Sequence, residues 1–223
     1  MTKLVLQRES FGYKNTKVLK DISLSIKKGE KVALLGKSGS GKSTLLKKLY
    51  ELDSEEISYI PQELGLVENL SVFHNIYISN LDKNSTIYNI RNLLRPAQKE
   101  IDIILPILKN LHIGELIFKK NGELSGGQKQ RTAIARAVQQ NRKILLADEP
   151  ISALDEFITK KALAVIFERF ETIVCALHNV DIALESFDRV IGIKNGKIIL
   201  DRQCKEISQS DTKELYNVCD EYL

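Results

Sequence analysis

Val32-Ala33-Leu34-Leu35-Gly36-Lys37-Ser38-Gly39-Ser40-Gly41-Lys42-Ser43-Thr44 is the stretch that decides the architecture of this chain. Its four leading apolar residues read as a buried strand. The run Gly36–Thr44 fits G-x-x-x-x-G-K-[ST] in full, and Ser43–Tyr50 continues as an amphipathic helix. Strand, loop and helix in that order are what anion binding needs. Glycines let the backbone wrap with its N–H groups inward, and the helix N-terminus adds partial positive charge. Inside such a loop Lys42 can reach outer phosphates, and Ser43 can offer a hydroxyl to Mg²⁺.

Outward from this stretch, short runs that are apolar on both faces recur: Ile57–Ile60, Ile144–Ala147, Ile173–Leu177 and Val190–Ile193. They fit buried strands of a mainly parallel sheet. Longer amphipathic stretches between them, such as Gln128–Val138 and Glu156–Phe170, read as helices, and the alternation argues an α/β layered fold. Residues 63–135 hold no convincing buried strand and are expected to form an inserted, mostly helical subdomain. Val18–Ile26 alternates like an exposed antiparallel strand, and Asn195-Gly196 between two apolar runs signals a tight hairpin. Residues 201–223 carry Asp, Lys and Glu in a helical pattern too short for a regulatory domain.

Two further segments carry chemistry. Ile144-Leu-Leu-Ala-Asp148-Glu149-Pro150 is an apolar strand ending in two carboxylates. Beside a phosphate loop, Asp148 suits a Mg²⁺ role through water, and Glu149 can accept a proton from an attacking water. Leu124-Ser125-Gly126-Gly127-Gln128 opens a helix with a hydroxyl and free N–H groups, which again suits an anion. His74 and His112 read as surface or filler positions.

In this order the segments resemble the nucleotide-binding subunit of ABC transporters, over roughly residues 3–203. Gly36–Thr44 is similar to Walker A, Leu124–Gln128 to the signature and Asp148-Glu149 to Walker B with its catalytic carboxylate. Gln62 resembles the Q-loop glutamine, Ser152-Ala-Leu-Asp155 the D-loop and His178 the switch histidine. The resemblance implies a P-loop NTPase of the ABC ATPase fold: a mainly parallel core sheet, an antiparallel β-subdomain and an inserted helical subdomain at about 63–135, in one domain over 1–223. It implies ATP and Mg²⁺, with Ser43, Gln62 and Asp148 at the metal and Glu149, His178 and Gln62 at the reaction. Nucleotide contacts fall on Gly36, Lys37, Ser38, Gly39, Ser40, Gly41, Lys42, Ser43 and Thr44, and on Ser125, Gly126, Gly127, Gln128 and Asp155. Adenine would stack on Tyr13, with Phe11 as the alternative.

The resemblance also implies a head-to-tail dimer of nucleotide-binding subunits that closes around ATP and drives transmembrane permease chains through the region after Gln62. In a full import system a substrate-binding protein would join them. Such a subunit works on the cytoplasmic face of the membrane. Leu64–Asn75, Ile151 and His178-Asn-Val-Asp181 are similar to ATPases of phosphonate-type importers, and ATPases of lipoprotein-releasing or cell-division complexes are the alternative. One interval departs from the family: only residues 45–61 separate Thr44 from Gln62, so the small β-subdomain is expected to be trimmed.

The bulk properties agree. In 223 residues, Lys+Arg 33 against Asp+Glu 29 gives 33 − 29 = +4, too mild to demand nucleic acid. The chain lacks the long coiled-coil insertion or second cassette of ABC-type ATPases that act on DNA or ribosomes. A regulator without turnover would fit a chain missing Glu149 or His178, and both are present. The three cysteines, Cys175, Cys204 and Cys219, form no CxxC pair and read as reduced thiols. The sequence holds no apolar run of spanning length and no signal-peptide core, so any membrane crossing falls to other chains.

Overall fold

Each of the short apolar runs forms a strand in a computed structural model, which describes residues 2–13 and 16–216. They are β3 (Lys31–Leu35), β4 (Ile57–Ile60), β5 (Ile144–Asp148), β6 (Thr172–Ala176) and β7 (Arg189–Lys194). The described chain divides into two units: Met1–Glu55 with Leu146–Glu149 and Glu171–Leu223, and Glu56–Leu145 with Pro150–Phe170.

The first unit is built on a sheet whose strands run in the order β5-β6-β3-β7-β8, with β8 spanning Lys197–Gln203. Central β3 is parallel to both β6 and β7. Val32, Ala33, Leu34 and Leu35 are fully buried, which is why the run is apolar on both faces rather than alternating. The β7–β8 pair is antiparallel, and Asn195 and Gly196 turn it with φ of 51° and 76°, as the hairpin signal predicts.

Two long strands, β1 (Thr2–Tyr13) and β2 (Thr16–Lys27), pair antiparallel as a separate two-stranded sheet. Leu4, Leu6, Leu19, Ile22, Leu24 and Ile26 face inward. Arg8 and Asp21, each with φ 51°, break the register, and their N–H groups are taken by the hydroxyls of Ser23 and Ser10 at 3.1 and 3.0 Å. Residues 45–61 supply only the rest of helix α1 (Lys42–Leu52) and β4 and add no strand to the antiparallel sheet, which has two strands among the described residues. The helical reading of 201–223 needs correction. Residues through Gln203 stay in β8, held by ladder bonds to β7, and helix α8 is confined to Gln209–Tyr216; residues 217–223 lie outside the described ones. Helix α7 (Val180–Ser186) completes this unit.

The second unit holds helices α2 (Val72–Tyr77), α3 (Thr86–Leu94), α4 (Gln98–Asn110), α5 (Gly126–Gln139) and α6 (Glu156–Arg169). Its core is the apolar face of α5, including Ala133, Ile134 and Ala137, packed on α2, α4 and α6. In α2 the rings of Phe73 and Tyr77 stack at 5.7 Å. Buried Asn75 replaces a stretch of secondary structure, bonding the backbone of Val67, Leu70 and Ser71. Among the described residues of 63–135 the sole β feature is one bridge, Ser71 to Lys120, as the helical reading expects. The unit reaches beyond that span to take in β4 and α6. Helix α3 leaves Ile87, Ile90, Leu93 and Leu94 exposed, Ile87 and Leu94 by more than 80%.

Candidate functional site

In the first unit the glycine-rich loop leaves β3 and enters α1. Gly41 is the N-cap of α1 with φ 113°, and no side chain caps the helix. A Cβ on Gly41 would also meet Leu19 Cδ2 at 2.5 Å, so both backbone and space require glycine. An uncapped first turn keeps its amide donors for something else. Lys37, Ser38 and Gly39 line the open side, whereas Ser40, Gly41, Lys42 and Thr44 are buried. The buried Ser40 hydroxyl has no protein partner.

Lys42 folds back into this loop. Its ammonium donates to the carbonyls of Gly36 at 2.7 Å and Lys37 at 3.2 Å, leaving one of its three N–H groups. Burial pulls its pKa down, and the negative charges of Glu149 and Asp148 work the other way. Asp148, 2% exposed at the end of β5, is pushed up by burial, with a bond from the Ser43 hydroxyl opposing. Its Oδ1 has no hydrogen-bond partner, a costly state for a buried carboxylate oxygen. A free anionic oxygen beside a hydroxyl is the hard oxygen donor set that Mg²⁺ takes together with waters and phosphate. The residues present therefore fit that ion.

Glu149 follows in the left-handed region, φ 55°, which strains a residue with a Cβ. Its N–H donates to Ala176 O at 3.1 Å, and this bond ties the end of β5 to the end of β6. The bend delivers the carboxylate to His178, just past β6, with Oε1 2.5 Å from Nε2. The first unit thus brings together Gly36–Thr44, Asp148, Glu149 and His178, which follow β3, β5 and β6.

The second unit holds the other expected residues. Gln62 is exposed just after β4. The turn beyond it, with Leu64 and Gly65 at φ 59° and 58°, is held by Arg136, which donates to the carbonyls of both. Ser125 caps α5 in a reciprocal box: its Oγ accepts from Gln128 N–H at 3.3 Å, and Gln128 Oε1 accepts from Ser125 N–H at 2.9 Å. Gly126 and Gly127 lie against the segment Ser152–Asp155, and a Cβ on Gly127 would meet Ala153 O at 2.7 Å. Asp155 is committed locally, accepting from Ile158 N–H at 2.9 Å as the N-cap of α6.

Tyr13 ends β1, and its side chain lies outside the described residues. The Phe11 ring is covered by the Lys48 ammonium at 5.2 Å. His74 bonds Ser71 Oγ through Nδ1, and His112 packs its ring edge on Phe157. Sequence reasoning missed Arg131 and Arg136. Arg131 donates to the carbonyls of Gly127, Leu111 and His112, so it anchors the turn that presents the signature glycines. The available signal was two arginines among the small and apolar residues of the helix's second half, Arg131 before Thr132-Ala-Ile-Ala135 and Arg136 after it.

Among the described residues no helix is long and apolar enough to cross a membrane. The ABC transporter family matches residues 19–152. A phosphonates import ATP-binding protein of Fusobacterium nucleatum is 32% identical, covering 92% of this chain and 94% of that protein. Its counterpart in Mesoplasma florum is also 32% identical, covering 89% and 93%. A dimeric bacterial ABC transporter cassette superposes with TM-score 0.77 at 25% identity, over 92% of this chain and 100% of that one. The ADP conformation of another ABC transporter cassette gives 0.75 at 25% identity, over 97% and 98%. With this loop, these carboxylates and this likeness along nearly its whole length, the chain belongs to the ABC transporter family, as an ATP-binding and ATP-hydrolysing subunit.

Proposed function

We propose that this subunit powers a phosphonate-type importer from the cytoplasmic face of the membrane, as one nucleotide-binding domain with its helical subdomain inserted at about 63–135. The observation that carries the site is the convergence, within one unit, of a buried unpartnered Asp148 oxygen, the loop-held Lys42 and the Glu149–His178 pair. The likeness to phosphonate import ATPases at 32–34% identity supports that substrate class over the lipoprotein-releasing and cell-division alternative.

The loop Gly36–Thr44 binds the phosphates through uncapped amides and the remaining Lys42 N–H. Ser43 and Asp148 would hold Mg²⁺, with Gln62 as the further ligand that the family resemblance implies, and the ion would neutralise phosphate charge when bound. Glu149 takes the proton of the attacking water. His178 at 2.5 Å orients that carboxylate and donates to a γ-phosphate oxygen once ATP separates the pair. Ser125, Gly126, Gly127 and Gln128 of one subunit close on the ATP held by the other, with Asp155 ordering the segment beside them. The aromatic at Tyr13 stacks on adenine. Charge developing on the transferring phosphoryl group is then met by donors from both chains.

Permease chains dock on the second unit, beyond Gln62. The exposed Ile87, Ile90 and Leu94 of α3 are flanked by Lys83, Arg91, Arg95 and Lys99, with no acidic residue between 83 and 99. This surface suits an apolar permease segment with an acidic rim. Ile87→Glu with Leu94→Glu should uncouple hydrolysis from a reconstituted permease and leave the ATPase of the free subunit intact.

The composite site is tested with Glu149→Gln in light scattering. Addition of Mg-ATP should double the mass. A subunit that stays monomeric at saturating Mg-ATP, alone and with its permease, overturns the composite site. The substrate class is tested by phosphonate-stimulated hydrolysis in vesicles holding the whole transporter.

A further inference from the structure

Gln130 lies on the second turn of α5, 7% exposed, and the nucleotide-facing residues assigned above do not include it. A buried amide is tolerated where both ends are satisfied. Here both ends go to one short segment. Nε2 donates to Ser152 Oγ at 2.7 Å, and Oε1 accepts from Ala153 N–H at 2.9 Å. One turn earlier on the same helix, Gly127 leaves no room for a Cβ against Ala153 O. Ser152 and Ala153 are themselves exposed, so Gln130 holds a surface loop from beneath.

We propose that Gln130 is a positioning residue that locks Ser152–Asp155 to the start of α5, so that this loop and the Ser125–Gln128 donors meet a second subunit as one preset edge. The proposal rests on the reading of Ser125–Gln128 as the half-site for the opposing subunit's ATP. Without the amide, Gly127 still admits the loop, but the two bonds by which Gln130 sets the loop's register on the helix are gone. Donors that must reach phosphate within hydrogen-bond distance then arrive in many arrangements, and closure must order them first.

The test uses full-length protein. Gln130→Leu removes both bonds at similar volume. Gln130→Glu keeps an acceptor for Ala153 N–H, and the Ser152 hydroxyl can turn to donate to the second carboxylate oxygen. Ser152→Ala removes one bond with little change of shape and serves where Gln130→Leu folds poorly. ATP affinity of the monomer, kcat, and ATP-driven dimerisation in a Glu149→Gln background are read for each variant. Gln130→Leu should leave monomer ATP affinity unchanged, lower kcat about tenfold or more, and raise the protein concentration needed for dimerisation about tenfold, since two hydrogen bonds are lost. Gln130→Glu should recover most of both, and Ser152→Ala should fall between.

A merely structural Gln130 would lower the melting temperature and leave kcat and dimerisation in place. That result overturns the proposal, as does a Gln130→Glu that fares no better than Gln130→Leu. Failure of the underlying reading looks different. In that case Glu149→Gln alone fails to dimerise, before any change at position 130.

Discussion

The two glycine-rich helix starts, at α1 and α5, look alike in sequence and are built on opposite principles. At α1 the N-cap is a left-handed glycine with no side-chain cap, and the ammonium that enters the loop is held by the loop's own carbonyls. At α5 the cap is a closed box in which Ser125 and Gln128 satisfy each other. The first start is therefore an unsatisfied anion site, and the second is a self-sufficient helix end. A hydroxyl that accepts in the box keeps its own hydrogen to donate. This difference fits a subunit that binds nucleotide alone through α1 and offers α5 only to a nucleotide held by another copy.

Glu149→Gln breaks the comparison at its most active point, and the largest effect is expected there. A general base contributes roughly 10²–10⁴ in rate, about 3–5 kcal/mol of barrier. The amide keeps the shape and cannot take the proton, so hydrolysis should fall by that factor while ATP binding persists. Turnover at the wild-type rate, measured by phosphate release, would remove Glu149 from the role.

Lys42→Ala tests the open start. Its loss removes a charge-assisted bond to phosphate, about 1.5–3 kcal/mol. Calorimetric titration should show ATP affinity weakened at least tenfold. Gly127→Ala tests the closed start. The new Cβ would meet Ala153 O at 2.7 Å, and backbone must shift to admit it. ATP affinity of the monomer should stay as in the wild type while ATP-driven dimerisation is lost. A Gly127→Ala protein that dimerises normally would mean that the approach of Ala153 to this turn has no bearing on the interface.

Much of the first unit was legible in the sequence because its signals are local. The strand Val32–Leu35, the loop after it and the Asn195-Gly196 hairpin each carry their own pattern. Asp148 and Glu149 were legible as chemistry, but the left-handed bend that turns Glu149 toward His178 was not, since the bond that ties it goes to Ala176, far along the chain. The same holds for Arg136, whose partners lie about seventy residues away. The end of β8 reads as helix in the sequence because the polar run Asp201-Arg202-Gln203 fits either period, and pairing with β7 decides between them. Asp155, expected at the nucleotide, caps α6 by accepting from Ile158 N–H, a bond three residues away that the D-loop resemblance did not bring to view.

Asp148→Asn sharpens the comparison with the smallest effect, one on stability. Burial raises the carboxyl pKa of Asp148 above its ordinary value of 3.8. Between 3.8 and that raised value the native state binds more protons than the unfolded chain. Stability from this group therefore falls as pH rises through the window, and above it the ionised form sits at a cost. Asparagine keeps the bond with Ser43 and carries no charge. The variant's melting temperature in the absence of nucleotide should exceed the wild type's near pH 7, by about 2–4 °C for each kcal/mol relieved, and the gap should close at acid pH. Mg²⁺-dependent hydrolysis should fall at the same time, because the free anionic oxygen is gone. The Ser125–Gln128 box is neutral, so Ser125→Ala should lower stability by about 1 kcal/mol with no such pH dependence. A wild type more stable than Asp148→Asn at pH 7 would mean that attraction from Lys42 outweighs the burial of Asp148, and that the open start carries no stored cost.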